Sequence, residues 1–151
     1  MRVLDAATVK DLHARLARVR PETNARWGRM NAHQMVCHLN DSFAFAMSEK
    51  MASEDITFLN RTVVRWVGLH TPLFWPKGVP TRPEMDQLCG GTRPVEFLRD
   101  QSALAVAIER FAQPHLSFPF PRHPIFGELT EWEWMRWGYL HADHHFRQFG
   151  V

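Results

Sequence analysis

Thr130-Glu131-Trp132-Glu133-Trp134-Met135-Arg136-Trp137-Gly138-Tyr139-Leu140-His141-Ala142-Asp143-His144-His145-Phe146-Arg147-Gln148-Phe149-Gly150 reads as one helix with both ends marked. Thr130 and Glu133 make a Thr-x-x-Glu capping box, in which two side chains satisfy backbone N–H groups that the first turn leaves without partners. Gly150 stands where a C-terminal cap belongs. Between them Trp134, Trp137, His141 and His145 recur at three- and four-residue intervals, the period of one helix face. Large aromatics at that spacing are expected in the core, where Trp134 and Trp137 could also wall a pocket beside the histidines.

Three more segments carry the same period. Val9, Leu12, Leu16 and Val19 place a helix over about residues 6–19, with Pro21 opposing its continuation. Asn31 is a good N-cap with Gln34 completing its box, and Met35, Leu39, Phe43, Ala46 and Met47 carry that helix to about Lys50. Phe97, Leu98, Leu104, Ile108 and Phe111 define another, from near Pro94 to Gln113. Ile56 to Leu69 reads as one extra short helix. Pro72, Pro76, Pro80, Pro83 and Pro94 with Gly78, Gly90 and Gly91 make residues 70–94 a long connection, the kind that forms lids. Pro114, Pro119, Pro121 and Pro124 mark a second. The expected fold is all-α, a helical bundle with long proline-rich connecting loops, as a single domain over residues 1–151.

Composition limits the functional classes. The chain has 151 residues, 45% hydrophobic and 23% charged, enough for one core and too short for two. With 18 Lys+Arg against 16 Asp+Glu the formal net charge is +2, and the arginines form no run, so nucleic acid is not an expected partner. No apolar stretch is long enough for a membrane span or a signal-peptide core. Two cysteines, Cys37 and Cys89, make no disulfide framework, and free thiols in a reducing cytoplasm are the expectation.

The nine histidines carry the chemistry. His141 and His145, four apart, rotate by about 40° and rise by about 6 Å on a helix, so both imidazoles reach one ion from one face. His144 competes, because its three-residue spacing from His141 also fits. Near a helix C-terminus such histidines also suit the dipole without a metal. His38, in the middle of the second helix, is the third ligand candidate, since bundles build metal sites from inward residues of facing helices. Cys37 sits about 100° from His38 and reads as a small core residue. No Glu-x-x-His, His-Glu-x-x-His or Cys-x-x-Cys occurs, which removes carboxylate-bridged di-iron, zincin and thiolate-zinc sites. Gly90-Gly91 reads as a turn, and His123 as an exposed loop histidine.

The stretch Asn31-Ala-His33-Gln-Met-Val-Cys37-His38-Leu-Asn-Asp41-Ser42 is similar to the second-helix signature of the DinB-like superfamily, in which a histidine precedes Leu-x-Asp-Ser. His141-Ala-Asp-His144-His145-Phe-Arg-Gln148 resembles that superfamily's last-helix motif, and with His123-Pro-Ile-Phe-Gly127 looks most like an uncharacterised branch. The resemblance implies an antiparallel four-helix bundle with one ligand from the second helix and two, four apart, from the last. Carried over, these are His38, His141 and His145, which leaves His144 a surface or supporting role. It also implies a metalloenzyme, in some members dependent on a low-molecular-weight thiol.

Three neutral imidazoles leave a divalent ion its full charge and an open coordination position. Zn²⁺, Ni²⁺ and Fe²⁺ all accept such ligands. The expected activity is therefore metal activation of a thiol or a water for transfer to, or hydrolysis of, a small molecule. Asp41, one turn beyond His38, is the candidate catalytic carboxylate, as general base or as a partner that orients a ligand. The rival reading is a non-catalytic bundle that binds a small molecule or forms a homodimer, with the 56–69 helix as a dimer face in either case.

Overall fold

The computed structural model describes residues 1–113 and 119–151, and among these the protein is all-α. Its helices are α1 (Ala6–Leu16), α2 (Ala32–Ala46), α3 (Arg65–His70), α4 (Phe97–Phe111) and α5 (Glu131–Gln148). A π-helical turn, Asn60–Val64, leads into α3, and a 3₁₀ turn, Pro83–Met85, interrupts the long connection before α4. Of the prolines read as a second loop, Pro114 lies outside the described residues.

The predicted helix starts hold. Asn31 Oδ1 accepts from the Gln34 amide at 2.8 Å while Gln34 Oε1 accepts from the Asn31 amide at 2.9 Å. Thr130 and Glu133 repeat the exchange at α5, at 3.3 and 2.9 Å. Gly150 takes φ +75°, and the Val151 amide reaches back to the Phe146 carbonyl at 3.0 Å, closing a Schellman motif.

Two helix ends come earlier than the periodicity predicts. α1 stops at Leu16 instead of near Val19, because Gln101 of α4 donates to the Leu16 and Val19 carbonyls at 2.8 and 3.1 Å. α2 stops at Ala46 instead of near Lys50. Ser48 adopts φ +61°, and the Glu49 amide bonds the Ala44 carbonyl at 2.8 Å, so a serine occupies the left-handed position usually given to glycine. The chain then turns back, and Lys50 Nζ lies 2.8 Å from Asp41 Oδ1. α4 begins at Phe97, three residues after Pro94.

α1, α2, α4 and α5 pack on one another around one core. Phe43, Phe111, Trp134 and Phe146 are fully buried there. Burying a side chain of this size contributes on the order of 1.5–3 kcal/mol. α3 lies against α5, where Arg65 Nε and Nη2 form a fork on the Glu133 carboxylate at 2.7 and 2.6 Å. The expected short helix over 56–69 is present from Phe58 to His70, but its outward side chains stay uncovered: Phe58, Leu59, Val63 and Trp66 are all exposed.

Candidate metal centre

α2 and α5 face each other, and their facing turns bring His38, His141 and His145 together. One ring nitrogen from each lies within 4.8 Å of the others. His38 meets the other two rings edge to face, with centroids 5.1 Å apart for His38–His141 and 4.7 Å for His38–His145, and His141 and His145 are tilted to each other at 5.0 Å.

The neighbours of two of the rings fix their protons. His38 Nδ1 donates to the Met85 carbonyl at 2.9 Å, since a carbonyl can only accept, which leaves Nε2 with its lone pair. His145 Nδ1 donates to Gln148 Oε1 at 2.8 Å, which likewise frees its Nε2. The Gln148 amide in turn donates to the Trp27 carbonyl at 2.7 Å. Gly28, at φ +82°, makes room for this chain of bonds: a Cβ there would stand 2.5 Å from Gln148 Nε2. Such partners on the far ring nitrogen set the tautomer and aim of metal-ligating histidines.

His141 has no such partner. Its Nδ1 is buried without a hydrogen bond among the described residues, and its Nε2 lies 3.1 Å from His38 Nε2. If His141 carries its proton on Nε2 and donates to His38, the Nδ1 lone pair is orphaned. If the proton is on Nδ1, two lone pairs face each other. A cation between them relieves the second case. Two nitrogens at about 2.0–2.1 Å from one Zn²⁺ stand about 2.9 Å apart at a right angle and about 3.3 Å apart at the tetrahedral angle. The observed separation lies between these values. The donor set therefore fits a divalent ion.

Electrostatics keep these rings neutral, the state a ligand needs. Burial pushes the His38, His141 and His145 pKa values down. The charges of His145 and His38 add to the effect at His141, and that of His38 at His145. Trp137 packs on His141 at 5.0 Å and Trp75 at 6.0 Å. Trp134, one turn before Trp137 in α5, is fully buried in the core.

The family described as "Protein of unknown function (DUF1569)" matches residues 1–150. The chain belongs to this family. No match was found among curated proteins or among solved structures. In this DUF1569 member the remaining predicted positions sort by geometry. His144 is not in the ligand group: its ring lies edge-on to His145 at 5.3 Å and beside Trp27 and Trp75, with centroids 5.9 and 6.3 Å away. Asp41 is buried, and its oxygens accept from Lys50 Nζ at 2.8 Å, Thr92 Oγ1 at 2.6 Å, the Thr92 amide at 2.8 Å and Gln87 Nε2 at 3.1 Å. These bonds tie the 83–92 stretch, which carries the Met85 carbonyl, onto α2.

His123 departs from the expectation of an exposed loop residue. It is 5% exposed, stacked on Phe126 at 4.5 Å and set against Trp134 and Trp137. Its Nδ1 accepts from the Ile125 and Phe126 amides at 3.2 and 3.1 Å, and burial pushes its pKa down to about 3, with Arg82 adding to the effect. Cys37 is buried as expected, yet its thiol is aimed at Asp100 Oδ2, 3.5 Å away, and burial pushes its pKa up to about 12.

Several supporting groups escape a reading of the sequence. The Met85 and Trp27 carbonyls are backbone atoms of distant loops and have no side-chain signature. Gln148 alone had a usable signal, since three residues beyond His145 lies on the same helix face.

Proposed function

We propose that this protein is a metalloenzyme of the DinB-like kind, an antiparallel four-helix bundle whose His38, His141 and His145 hold one divalent ion. The observation that carries the reading is the pair of fixed tautomers: Met85 and Gln148 each hold an Nδ1 proton, so the His38 and His145 Nε2 lone pairs are available to one ion. Three protein ligands leave a coordination position for a reactant, the pattern of catalytic and not of closed structural sites. When bound, a Zn²⁺, Ni²⁺ or Fe²⁺ ion supplies the Lewis acidity that makes a thiol or a water nucleophilic near neutral pH.

The chain's own residues prepare that position. Met85 and Gln148 keep the His38 and His145 protons on the outer nitrogens. Trp137 and Trp75 wall His141 against bulk water. We assign Asp41 a positioning role: its carboxylate fixes Thr92, Gln87 and Lys50, and through that stretch the Met85 carbonyl. The substrate is a small electrophilic molecule and the second reactant a low-molecular-weight thiol or water. We place the protein in the cytoplasm, as a single domain. No helix of the described residues is long and apolar enough to cross a membrane.

The test is turnover by the metal-loaded protein across thiol-transfer and hydrolytic substrates, with His38→Ala as the inactive control. Cyanide should inhibit by taking the open position. A loaded protein that turns over nothing and neither binds thiol nor responds to cyanide would mark a closed, structural centre. A second feature bears on assembly: Phe58, Leu59, Val63 and Trp66 are all more than half exposed, and we propose this helix as the face of a homodimer. Sedimentation of wild type against Trp66→Glu checks it, the variant running as monomer.

A further inference from the structure

A second set of ligand-type side chains lies on the α4 side of α2, and nothing in the reading above uses it. His33 and Cys37, four residues apart, share one face of α2, and Asp100 reaches them from the first turn of α4. His33 Nε2 lies 2.7 Å from Asp100 Oδ2, and Cys37 Sγ lies 3.5 Å from the same oxygen. One donor atom from each residue falls within 4.8 Å of the other two. Asn40 Nδ2 donates to the Asp100 carbonyl at 2.9 Å and holds the α4 backbone in register with this face. The thiol is buried, whereas the His33 and Asp100 side chains keep about a fifth of their surface open, 19% and 21%, so an ion and its water can enter from one side.

We propose that His33, Cys37 and Asp100 form a second divalent-metal site, with one sulfur, one nitrogen and one oxygen ligand suited to Zn²⁺ or Co²⁺. Zinc takes thiolate at about 2.3 Å, imidazole at about 2.0–2.1 Å and carboxylate at about 2.0–2.2 Å. At the tetrahedral angle those lengths set sulfur and oxygen about 3.6 Å apart, close to the distance found. Nitrogen and oxygen would stand about 3.3 Å apart, so the ion opens the His33–Asp100 pair by roughly half an ångström. Two partly exposed side chains accommodate that by rotation. On binding, the Cys37 S–H bond breaks, a sulfur–metal bond forms and the proton leaves to solvent, with no change of oxidation state. The ion must displace the hydrogen bond between His33 and Asp100, so this site binds more weakly than one whose donors have no other partner. The proposal does not depend on the three-histidine reading, because that centre contains no sulfur.

The experiment is a Co²⁺ titration of the full chain carrying Cys89→Ser, which leaves Cys37 as its one thiol. A thiolate-to-cobalt charge-transfer band should grow in the near ultraviolet and saturate at one equivalent for this site. Cys37→Ala should abolish the band while helical circular dichroism and the ion at the histidine centre persist. Asp100→Asn keeps the thiol and should move the midpoint to at least tenfold higher cobalt. Cobalt uptake with no near-ultraviolet band would overturn the proposal. So would a band unchanged by both Asp100→Asn and His33→Gln, which would mean capture by the thiol alone. Failure of the histidine centre would read differently, as one equivalent of cobalt bound per chain in place of two with the charge-transfer band intact.

Discussion

The two clusters on α2 meet at neighbouring residues, Cys37 and His38, and are built on opposite plans. Around His38 the donors are three imidazoles: the outer nitrogens of His38 and His145 are taken by the Met85 carbonyl and by Gln148, that of His141 has no partner among the described residues, and the inner nitrogens have only one another. Around Cys37 the donors satisfy one another without help, because the Asp100 carboxylate accepts from both the thiol and His33. Unpaired buried polar groups are costly, while a carboxylate with two donors is at rest. The difference teaches where an ion adds most. The histidine centre is incomplete without a cation, and the Cys37 cluster is complete and must be opened.

The largest expected effect is on stability. An ion that binds only the folded chain contributes about 4 kcal/mol at a free concentration a thousandfold above Kd. Zinc loading should therefore raise the thermal midpoint by many degrees in wild type and in Cys37→Ser, and should do little for His145→Ala. A large increment that survives His145→Ala would reverse the ranking of the two clusters.

Asp41→Asn comes next. It leaves Lys50 without its buried partner and weakens three bonds to the 83–92 stretch. Losing one member of a buried ion pair costs about 3–5 kcal/mol, and the partial exposure of Lys50 puts the expectation at the low end. Urea unfolding measures it. A neutral substitution would show that the carboxylate pins nothing.

Gln148→Leu sharpens the comparison at a single bond. It removes the acceptor that holds the His145 Nδ1 proton. Loss of such a partner weakens metal affinity by roughly 10–100-fold, read by competition with a chromophoric chelator, and should leave the Cys37 cluster untouched. Equal affinity would mean that His145 needs no orientation.

A further test is a slope with pH. The His123 pKa in the fold is pushed down to about 3 from an ordinary 6.5, so the unfolded chain takes up the proton first. Stability from this position is whole above pH 6.5 and is lost as the pH falls from there toward 3. Glu133 has the same sign at lower pH. Burial raises its pKa, but bonds from Arg65, His70 and Thr130 outweigh burial and hold it at about 2, so its contribution is lost as the pH falls below about 4.5. His123→Gln keeps an acceptor for the Ile125 and Phe126 amides and should flatten the upper part of this acid limb in unfolding measured across pH. An unchanged limb would assign it to other groups.

Much of this was legible in the sequence where the signal is local. The boxes at Asn31 and Thr130 and the glycine at 150 are read within four residues, and the structure places caps there. The early ends of α1 and α2 were not, because one is capped by Gln101 from another helix and the other by a serine in a glycine's conformation. His141 and His145 could be paired from spacing alone, while the choice over His144 rested on the resemblance. The structure turns His144 toward Trp27 and Trp75. His123 was misread because proline density marks a loop without saying whether that loop folds inward under Trp134 and Trp137. The His33–Cys37–Asp100 group was invisible for a related reason: its third member comes from a helix 60 residues on, with nothing in its own segment to mark it.

The most direct test of the central claim is elemental analysis of untagged protein after exhaustive dialysis, with His38→Ala and His145→Ala alongside. About one divalent ion per wild-type chain is expected, lost in both variants while helical circular dichroism persists. A wild type that retains no ion, even after loading with Zn²⁺, Ni²⁺ or Fe²⁺, would contradict the claim.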